Sequence, residues 1–431
     1  MSEEKMEGAG TSLRFQILLV LALLAILAYL PALTLPFISD DYLQINLGRL
    51  YGPVSGWGAL AADALYRCRA TSLVLTYWTE RVVGLHPLPF YASSLFLHIL
   101  NVWLLFALGA WKTIGWRNSA VAAGFFAVYE GHQEAVVWYA AVHELLLFFF
   151  ALLCLHCWIR WLGSNGGRYY WASISCFLLA LASKEAAVAI VPILVVLALI
   201  DGAKWRTVLV RVLPFVVLAF VYCLLIYAAR STHYHFRDAG TFSLRAPFWI
   251  TLPQSVWRLL WVWGLLSVIA CAVWRAPGQT KLLVTASAWI VVSFLPYSFL
   301  TYMPYVPSRH TYLASAGLAL LVATGFWRFR ERCKARPWVG WAILAVMITS
   351  QYAFLWFKKR AQYMERAAPT EELVAWAAKV DGPVYVKCFP YSFEIAEAAV
   401  RLRLHKTVYP LTPSRTPDME DQSNIFCWAA R

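Results

Sequence analysis

The composition of this 431-residue chain excludes an ordinary soluble protein, because 61% of its residues are hydrophobic and only 14% are Asp, Glu, Lys or Arg. Soluble domains carry roughly a quarter charged residues. The net charge is +14, but Lys and Arg lie in short segments between apolar runs instead of on one soluble face, so no nucleic-acid partner is expected. At roughly 20 apolar residues per crossing, the composition predicts an all-α, multi-pass membrane protein surrounded by membrane lipids.

About 11 apolar segments are predicted to span the membrane. They are 15–37, 88–111, 118–131, 144–162, 169–183, 186–201, 208–229, 250–274, 282–300, 311–327 and 338–357. The first of them is too long for a cleavable signal sequence and is expected to remain as a helix. The segment 38–87 is predicted to be a large outer loop with helices on the membrane surface, because Arg69, Glu80 and Arg81 make a full crossing costly.

Basic residues concentrate in alternate short loops, which the positive-inside rule assigns to the cytoplasm. These residues are Lys5, Arg14, Lys112, Arg117, Arg160, Arg168, Lys204, Arg206, Arg211, Arg275, Lys281, Arg328, Arg330, Arg332, Lys334 and Arg336. The N-terminus is then inside, and an odd number of spans puts the C-terminus outside. The expected location is a bacterial inner membrane, with the site facing the periplasm or exterior.

The last part of the chain, 358–431, is predicted to be a small extracytoplasmic α/β domain that follows a transmembrane catalytic domain, 1–357. The predicted elements are a helix at Glu371–Lys379, a strand at Pro383–Phe389 and a helix at Ser392–Leu404. Cys388 and Cys427 would lie in an oxidising compartment, where a disulfide can form. The sequence does not supply the Cα distance that would decide it.

Ionisable residues collect at the outer ends of the predicted spans. They are Asp40, Asp41, His132, Glu134, His143, Glu144, Lys184, Glu185, His233, His235, Arg237, Asp238, Arg309 and His310. Charged groups near the membrane are costly and are therefore functional candidates. Five loops that are separate in sequence can converge here on one pocket at the membrane surface.

Most of these residues also have a structural interpretation. Asp40 and Asp41 form either a solvated turn or a pair suited to general-base work or metal coordination, so no cofactor is certain and a divalent metal stays open. Glu134 and Glu144 either line a site or form ion pairs with Lys184 or Arg309, the two expected phosphate ligands.

Two further observations concern histidines. The pair His233 and His235 has metal-ligand spacing, but an H-x-H motif in a loop is a weak signal. His98 and His156 fall inside predicted spans, where hydrogen bonding between helices is the expected role.

A carboxylate base beside cations, at the outer edge of a membrane, fits transfer of a group from a lipid phosphate. The base removes the proton of an acceptor hydroxyl, while Lys and Arg hold the departing phosphate anion. We expect Asp40 to be the base and Asp41 to orient it or the acceptor.

Several segments resemble the GT-C class of polytopic glycosyltransferases, and in particular the TMTC-type O-mannosyltransferases and their bacterial relatives. The segments are Ser39-Asp40-Asp41-Tyr42, Gly84-Leu85-His86-Pro87 leading to Leu97-His98-Ile99-Leu100-Asn101, His132-Gln133-Glu134-Ala135-Val136-Val137-Trp138 followed by Glu144-Leu145-Leu146, Ser183-Lys184-Glu185, and Arg309-His310-Thr311-Tyr312-Leu313-Ala314-Ser315. The resemblance covers about 15–325. The departures from the family pattern are Ala70, Val142, Ser308 and Ala314.

This resemblance implies an inverting transferase that takes a mannose-like sugar from a polyprenyl-phosphate carrier and gives it to a protein, glycan or lipid acceptor. It implies that His132 and Glu134 line the sugar or acceptor side, that Lys184 and Arg309 hold the carrier phosphate, and that substrate binding also involves three further residues. These are Glu144, Glu185 and Tyr312.

Two other functions remain open at this stage. A transporter or flippase for an anionic lipid-linked substrate would place charged groups near the membrane midplane on broken helices. A non-catalytic membrane assembly protein would leave the outer charged residues dispersed.

Overall fold

A computed structural model describes residues 11–164, 166–229, 243, 245–274, 279–300, 304–411 and 424–428 of the chain. The α-helices of these residues are α1 Thr11–Tyr29, α2 Asp41–Tyr51, α3 Trp57–Ala62, α4 Ala70–Val83, α5 Pro87–Ala107, α6 Gly115–Val128, α7 Gln133–Val137, α8 Val142–Ser164, α9 Gly167–Leu181, α10 Ile190–Ile200, α11 Trp205–Ala229, α12 Phe248–Val273, α13 Thr280–Phe294, α14 Ser315–Arg332, α15 Pro337–Ala353, α16 Arg360–Ala377 and α17 Phe393–Leu404. The strands are β1 Val384–Cys388, β2 Val408–Pro410 and β3 Ile425–Cys427. The predicted all-α membrane architecture with a small C-terminal α/β module is confirmed.

Within these described ranges, seven helical segments are long and apolar enough to cross a membrane. They are Ser12–Thr34, Pro87–Ala110, Tyr139–Ser164, Trp205–Ala228, Phe248–Val273, Thr280–Phe299 and Trp338–Ala377. The chain is therefore an integral multi-pass membrane protein. Four other predicted spans are also helical, as α6, α9, α10 and α14, but they are shorter or less apolar. The number of about 11 spans stays a prediction.

The centre of the bundle is α14, in which every residue from Ser315 to Leu321 is at least nine-tenths buried. Small residues allow its neighbours to approach closely. A Cβ on Gly317 would lie 2.6 Å from the Ala286 carbonyl oxygen, and one on Gly325 would lie 2.8 Å from the Cα of Ser267. This packing holds the segment just before α14, which carries Arg309 and His310, against the rest of the bundle.

Three of the basic loops predicted to be cytoplasmic meet at one end of the bundle. The Arg14 guanidinium lies 4.4 Å from the ring centre of Trp116, and that of Arg117 lies 3.9 Å from the ring centre of Trp327. Arg117 also pairs with Glu331 at 3.4 Å. The acidic and basic residues of the candidate site gather elsewhere, in loops that connect the opposite ends of these helices.

The predicted outer loop contains α2, α3 and α4. Helices α2 and α4 are joined by a bond of 2.8 Å from Arg49 Nε to Glu80 Oε1 and by one of 3.1 Å from Gln44 Nε2 to Thr76 Oγ1. Helix α4 ends at Val83 and is followed by Gly84, whose φ of 71° favours glycine. Helices α2 and α4 therefore form a pair at the end of the bundle that carries Asp40 and Asp41.

The tail packs against α2 of this pair through α17, the helix Phe393–Leu404. Its sheet has the order β2-β1-β3 with all strands parallel, and α17 connects β1 to β2. The sheet and two helices enclose a small apolar core that includes Leu373, Val384, Val400 and Phe426.

A disulfide joins Cys388 of β1 to Cys427 of β3, with a Cα separation of 4.4 Å, which decides the pairing that the sequence left open. The helical path is unbroken from α15 through a π-helical turn, Phe354–Lys359, to the end of α16. It passes through the predicted domain boundary at 357–358, and the division into two domains stays a prediction.

Candidate active site

The two adjacent aspartates lie in different environments because the backbone turns sharply before them. Ser39 has a φ of 37°, in the left-handed region that costs a non-glycine residue energy. Asp41 is fully buried and accepts hydrogen bonds from the Ile38 N–H at 2.9 Å, the Ala140 N–H at 2.8 Å and the Tyr91 hydroxyl at 2.9 Å. Burial raises the pKa of Asp41 to about 7, although these bonds oppose the rise. Asp41 therefore fastens the turn to α5 and to the segment before α8.

Asp40, in contrast, is only half-buried, and its carboxylate accepts no hydrogen bond from any residue in the described ranges. Burial raises its pKa, while the guanidinium groups of Arg366 and Arg309 oppose the rise. Asp40 is thus the carboxylate of the pair that a substrate can reach, and it is the one that faces positive charge.

The two guanidinium groups converge on one tryptophan and one carboxylate. The Cζ atom of Arg366 lies 4.4 Å from the ring centre of Trp138, and that of Arg309 lies 5.2 Å from it. Glu134 is 3.7 Å from Arg309 Nη1 and 4.0 Å from Arg366 Nη1, and it accepts the Arg309 backbone N–H at 3.1 Å. The side chains of Arg309 and Arg366 are 25% and 36% exposed. Both cations therefore keep open surface beside Asp40, which suits an anionic ligand.

Lys184 takes part in a closed buried network. Its ammonium bonds Glu144 Oε1 directly, and it lies 3.0 Å from His310 Nδ1 and 3.3 Å from His143 Nε2. Glu144 also contacts His310 Nδ1 at 2.6 Å and accepts the Tyr297 hydroxyl at 3.1 Å. Lys184 and Glu144 are each 1% exposed. Of the two interpretations that the sequence left open for Glu144, the structure shows the ion pair with Lys184, and Glu134 likewise pairs with Arg309.

Arg69 and Glu185 lie next to this network without completing it. Burial lowers the pKa values of Lys184 and His310, and the positive charge of Arg69 lowers them further. The buried Nε of Arg69 has no hydrogen-bond partner among the described residues. The buried Oε2 of Glu185 is likewise unbonded within that part of the chain. The network thus ends on one side in groups whose hydrogen-bonding capacity is unused.

Two predicted substrate ligands are placed in the core instead. His132 is fully buried, with Nε2 2.6 Å from Ser315 Oγ and its ring 4.5 Å from that of Tyr312. Tyr312 is also fully buried, and its hydroxyl lies 2.7 Å from His98 Nδ1 and receives the Asn101 amide at 3.3 Å. In this conformation both residues anchor α14 to the neighbouring helices, and neither has open surface for a substrate.

The expected hydrogen bonding between helices by His98 and His156 is confirmed. His98 Nε2 lies 3.1 Å from the Ala127 carbonyl of α6, and His156 Nε2 of α8 lies 2.9 Å from the Leu104 carbonyl of α5. Four other candidates fall outside the described residues. They are His233, His235, Arg237 and Asp238. Within the described ranges, no group of three or more His, Cys, Asp or Glu side chains is arranged to hold a metal ion.

Sequence reasoning missed the residues that the tail contributes. Besides Arg366, α16 supplies Tyr363, whose hydroxyl bonds the Gln133 side-chain oxygen, while the Gln133 amide reaches Ser308 Oγ at 2.8 Å. Tyr42, beside the aspartates, donates to Glu371 at 2.6 Å. A signal existed for Arg366, since it follows a basic run on what the topology predicts to be the outer side.

The fold is shared with proteins of known structure. The chain has the fold of the GT-C glycosyltransferases, the class that the sequence motifs resemble. No protein-family model matches the chain, and no curated protein matches it.

Solved structures with this fold include the Archaeoglobus fulgidus oligosaccharyltransferase tethered to an acceptor peptide containing the NVT sequon, with a TM-score of 0.58 and 10% identity over 93% of this chain. They also include ArnT from Cupriavidus metallidurans bound to undecaprenyl phosphate, with a TM-score of 0.57 and 13% identity over 94% of this chain. The chain spans 64% of the length of the first structure, which is under two thirds, and 87% of the second.

Proposed function

We propose that the chain is a membrane glycosyltransferase that moves a sugar from a polyprenyl-phosphate carrier to an acceptor outside the cytoplasm. The observation that carries the proposal is the arrangement of Asp40, which is half-buried, free of hydrogen bonds from the described residues and faced by Arg309 and Arg366. A mannose-like sugar and a protein, glycan or lipid acceptor are the finer parts of the proposal, and they rest on the motif resemblance.

In the proposed reaction, Asp40 accepts the proton of the acceptor hydroxyl while the hydroxyl oxygen attacks the anomeric carbon of the sugar. The bond between that carbon and the carrier phosphate oxygen breaks, and the configuration at the carbon inverts. The phosphate leaves with the bonding electron pair, and Arg309 and Arg366 stabilise its charge. These charge-assisted contacts are strongest for the departing phosphate anion. They therefore stabilise the transition state more than the bound substrate, which accelerates the transfer.

The role of Lys184 as a second phosphate ligand stays a prediction. A direct contact would require its bond with Glu144 to open. While the bond between Lys184 and Glu144 is intact, Lys184 instead holds His310 in place, and His310 holds the backbone next to Arg309.

The solved structures of the same fold support the substrate class, since one is bound to undecaprenyl phosphate and another is tethered to an acceptor peptide. The position of the charges also favours transfer over the other two functions. A transporter site is expected at the midplane, whereas Asp40 and Arg309 lie between the long helices and Glu134 lies in the five-residue helix α7. A scaffold protein is expected to leave its charged residues dispersed, whereas Arg309 and Arg366 converge on Trp138 and Glu134.

The test is single-turnover sugar transfer from a saturating polyprenyl-phosphate sugar by the purified Asp40→Asn variant. Asparagine keeps the shape of the side chain but removes the basic oxygen, so we expect the transfer rate to fall at least about 100-fold. The matched control is Asp381→Asn, which changes an exposed aspartate of the tail. A thermal melt should show both variants folded. Transfer at the wild-type rate by Asp40→Asn would exclude Asp40 as the base.

A further inference from the structure

The short turn that carries Asp40 and Asp41 lies between two buried aromatic residues. Phe37 precedes the turn and Tyr42 follows it, and both residues are fully buried. Their ring centres lie 5.3 Å apart in an edge-to-face arrangement. The position of the Asp40 carboxylate therefore depends on what holds these two rings in place.

The turn is strained and needs support from its surroundings. Ser39 has a φ of 37°, and a non-glycine residue keeps such a conformation only where neighbouring groups impose it. The membrane helices supply part of this support, since the Ala140 N–H and the Tyr91 hydroxyl donate to Asp41. The Asp40 carboxylate accepts no such bond from the residues that the structure describes. It is placed only by the backbone on either side of it.

One guanidinium group of the tail reaches both aromatic rings. Arg403 lies in α17, and its Cζ atom is 5.7 Å from the ring centre of Phe37 and 6.0 Å from that of Tyr42. Its Nε donates to the Tyr42 hydroxyl at 3.3 Å, and its Nη1 donates to the Leu85 carbonyl oxygen at 3.5 Å. The planar guanidinium directs its donors in fixed directions. A single side chain therefore joins the segments before and after the turn to the loop between α4 and α5.

A carboxylate of the tail completes this contact. The Tyr42 hydroxyl donates to Glu371 Oε1 at 2.6 Å, so the lone pairs of the same oxygen are available to the Arg403 Nε–H. Glu371 belongs to α16 and Arg403 to α17, so both helices of the tail act on one hydroxyl. Burial raises the pKa of Tyr42, and the charge of Glu371 raises it further, which keeps the hydroxyl protonated.

A second arginine of α17 makes a different kind of contact. Arg401 Nη2 donates to Asn46 Oδ1 at 2.6 Å, and Arg401 Nη1 lies 3.5 Å from Glu397 of its own helix. The Arg401 side chain is 50% exposed, and Asn46 lies one helical turn beyond Tyr42 in α2. Arg401 thus fastens the tail to α2 through residues outside the turn. The two arginines therefore allow docking of the tail to be separated from support of the turn.

We propose that Arg403 is a positioning residue for the transfer reaction, which holds Phe37 and Tyr42 and thereby sets the position of the Asp40 carboxylate. This inference rests on the proposed function, because it takes Asp40 as the base. It gives the tail a part in the chemical step without contact between Arg403 and a substrate. Loss of the Arg403 guanidinium then slows the chemical step and leaves binding of the donor intact.

The first measurement is hydrogen exchange by mass spectrometry on the full-length protein in detergent micelles. In the turn, the amides of Asp41 and Tyr42 bond the carbonyl groups of Ile38 and Ser39, so their exchange reports how firmly the turn is held. We expect faster exchange of the peptide that covers 38–44 in Arg403→Gln. The matched control, Arg401→Gln, should exchange this peptide at the wild-type rate.

The second measurement is sugar transfer by the same proteins. We expect Arg403→Gln to lower kcat at least about 10-fold with an unchanged KM for the lipid donor, since a misplacement of about 1 Å can cost about 100-fold. Arg401→Gln should keep the wild-type kcat. The variant Tyr42→Phe keeps the ring but removes the hydroxyl, so its loss combined with that of Arg403→Gln should be smaller than the product of the two separate losses.

Wild-type exchange and wild-type kcat in Arg403→Gln would overturn the proposal, as would equal losses in Arg401→Gln. A raised KM for the donor with an unchanged kcat would also overturn it, because Arg403 would then act in binding. If a thermal melt shows Arg403→Gln unfolded, Arg403→Lys replaces it, and the same pattern with smaller losses is expected because a lysine cannot bond the hydroxyl and the carbonyl together. A wild-type protein that transfers no sugar would fail the proposed function, while the exchange measurement would still decide whether Arg403 holds the turn.

Discussion

Replacing Lys184 with Gln tests whether this residue mainly holds the fold or mainly holds a substrate. The Lys184 ammonium is 1% exposed and bonds Glu144, which is equally buried. In the Lys184→Gln variant, the Glu144 carboxylate stays in the interior without its cation. Burial, and after it the positive charge of Lys184, lowers the pKa of His310 well below its usual range, so Lys184 is the cation that balances Glu144 in the wild-type protein.

The expected loss of folding free energy follows from the unpaired negative charge of Glu144 that remains in the variant. Removing one partner of a buried ion pair costs about 3–5 kcal/mol, since the other charge is left uncompensated. Replacing both partners removes that charge, so the Glu144→Gln, Lys184→Gln double variant should be more stable than Lys184→Gln alone. The double-mutant cycle should therefore show a coupling energy well above the few tenths of a kcal/mol found for distant sites.

The assay is equilibrium unfolding of the four proteins of the cycle in mixed micelles, alongside the KM for a polyprenyl-phosphate sugar. Lys358→Gln serves as the control for removing a lysine charge at an exposed position. If Lys184→Gln unfolds like wild type and only its KM for the lipid donor rises, the buried-pair argument is refuted. Lys184 would then be a phosphate ligand, as the motif resemblance implies.

Three other outcomes are expected. Asp41→Asn should lose about 1–3 kcal/mol of folding free energy, because an amide nitrogen cannot accept one of the hydrogen bonds that the carboxylate accepts. Burial raises the pKa of Asp41 to about 7, so its contribution to folding stability is complete below about pH 4 and is lost as the pH rises through 7. Chemical denaturation at several pH values should show that the variant lacks this pH dependence of stability. Arg366→Gln should move the acid limb of the transfer pH–rate profile to higher pH, because only ionised Asp40 accepts a proton and the Arg366 guanidinium favours the ionised form. An acid limb that does not move would show that Arg366 has no effect on the ionisation of Asp40. Cys388→Ser should destabilise the tail by about 4 kcal/mol, the loop-closure value for a Cys388–Cys427 separation of 39 residues, as measured by proteolysis of the tail.

Much of the architecture could be predicted from local sequence. Apolar runs of sufficient length predict membrane helices wherever they occur, and the alternation of basic loops predicts which loops share an end of the bundle. The tail elements follow from periodicity and from the Gly382-Pro383 punctuation, and the structure has β1 at Val384–Cys388 and α17 at Phe393–Leu404. These signals succeed because each depends on residues a few positions apart.

The candidate site was only partly predictable. The motifs indicated which outer loops carry chemistry, and those loops do meet, since Glu144, Lys184 and His310 come from three of them. They did not indicate Arg366, because it belongs to a tail that the motifs do not cover. No local pattern shows that a helix beginning after the last span lays its arginine on Trp138.

The sequence by itself determined that this protein is a multi-pass helical membrane protein with acidic and basic residues at one end of its helices. Only the tertiary structure decided which of those residues are buried and which partners each of them has. It buries Asp41 beneath three hydrogen bonds while its neighbour Asp40 stays open to Arg309 and Arg366. The physical reason is that hydrophobic burial follows local composition, whereas the state of an ionisable side chain depends on the partners and the solvent that the whole fold brings to it.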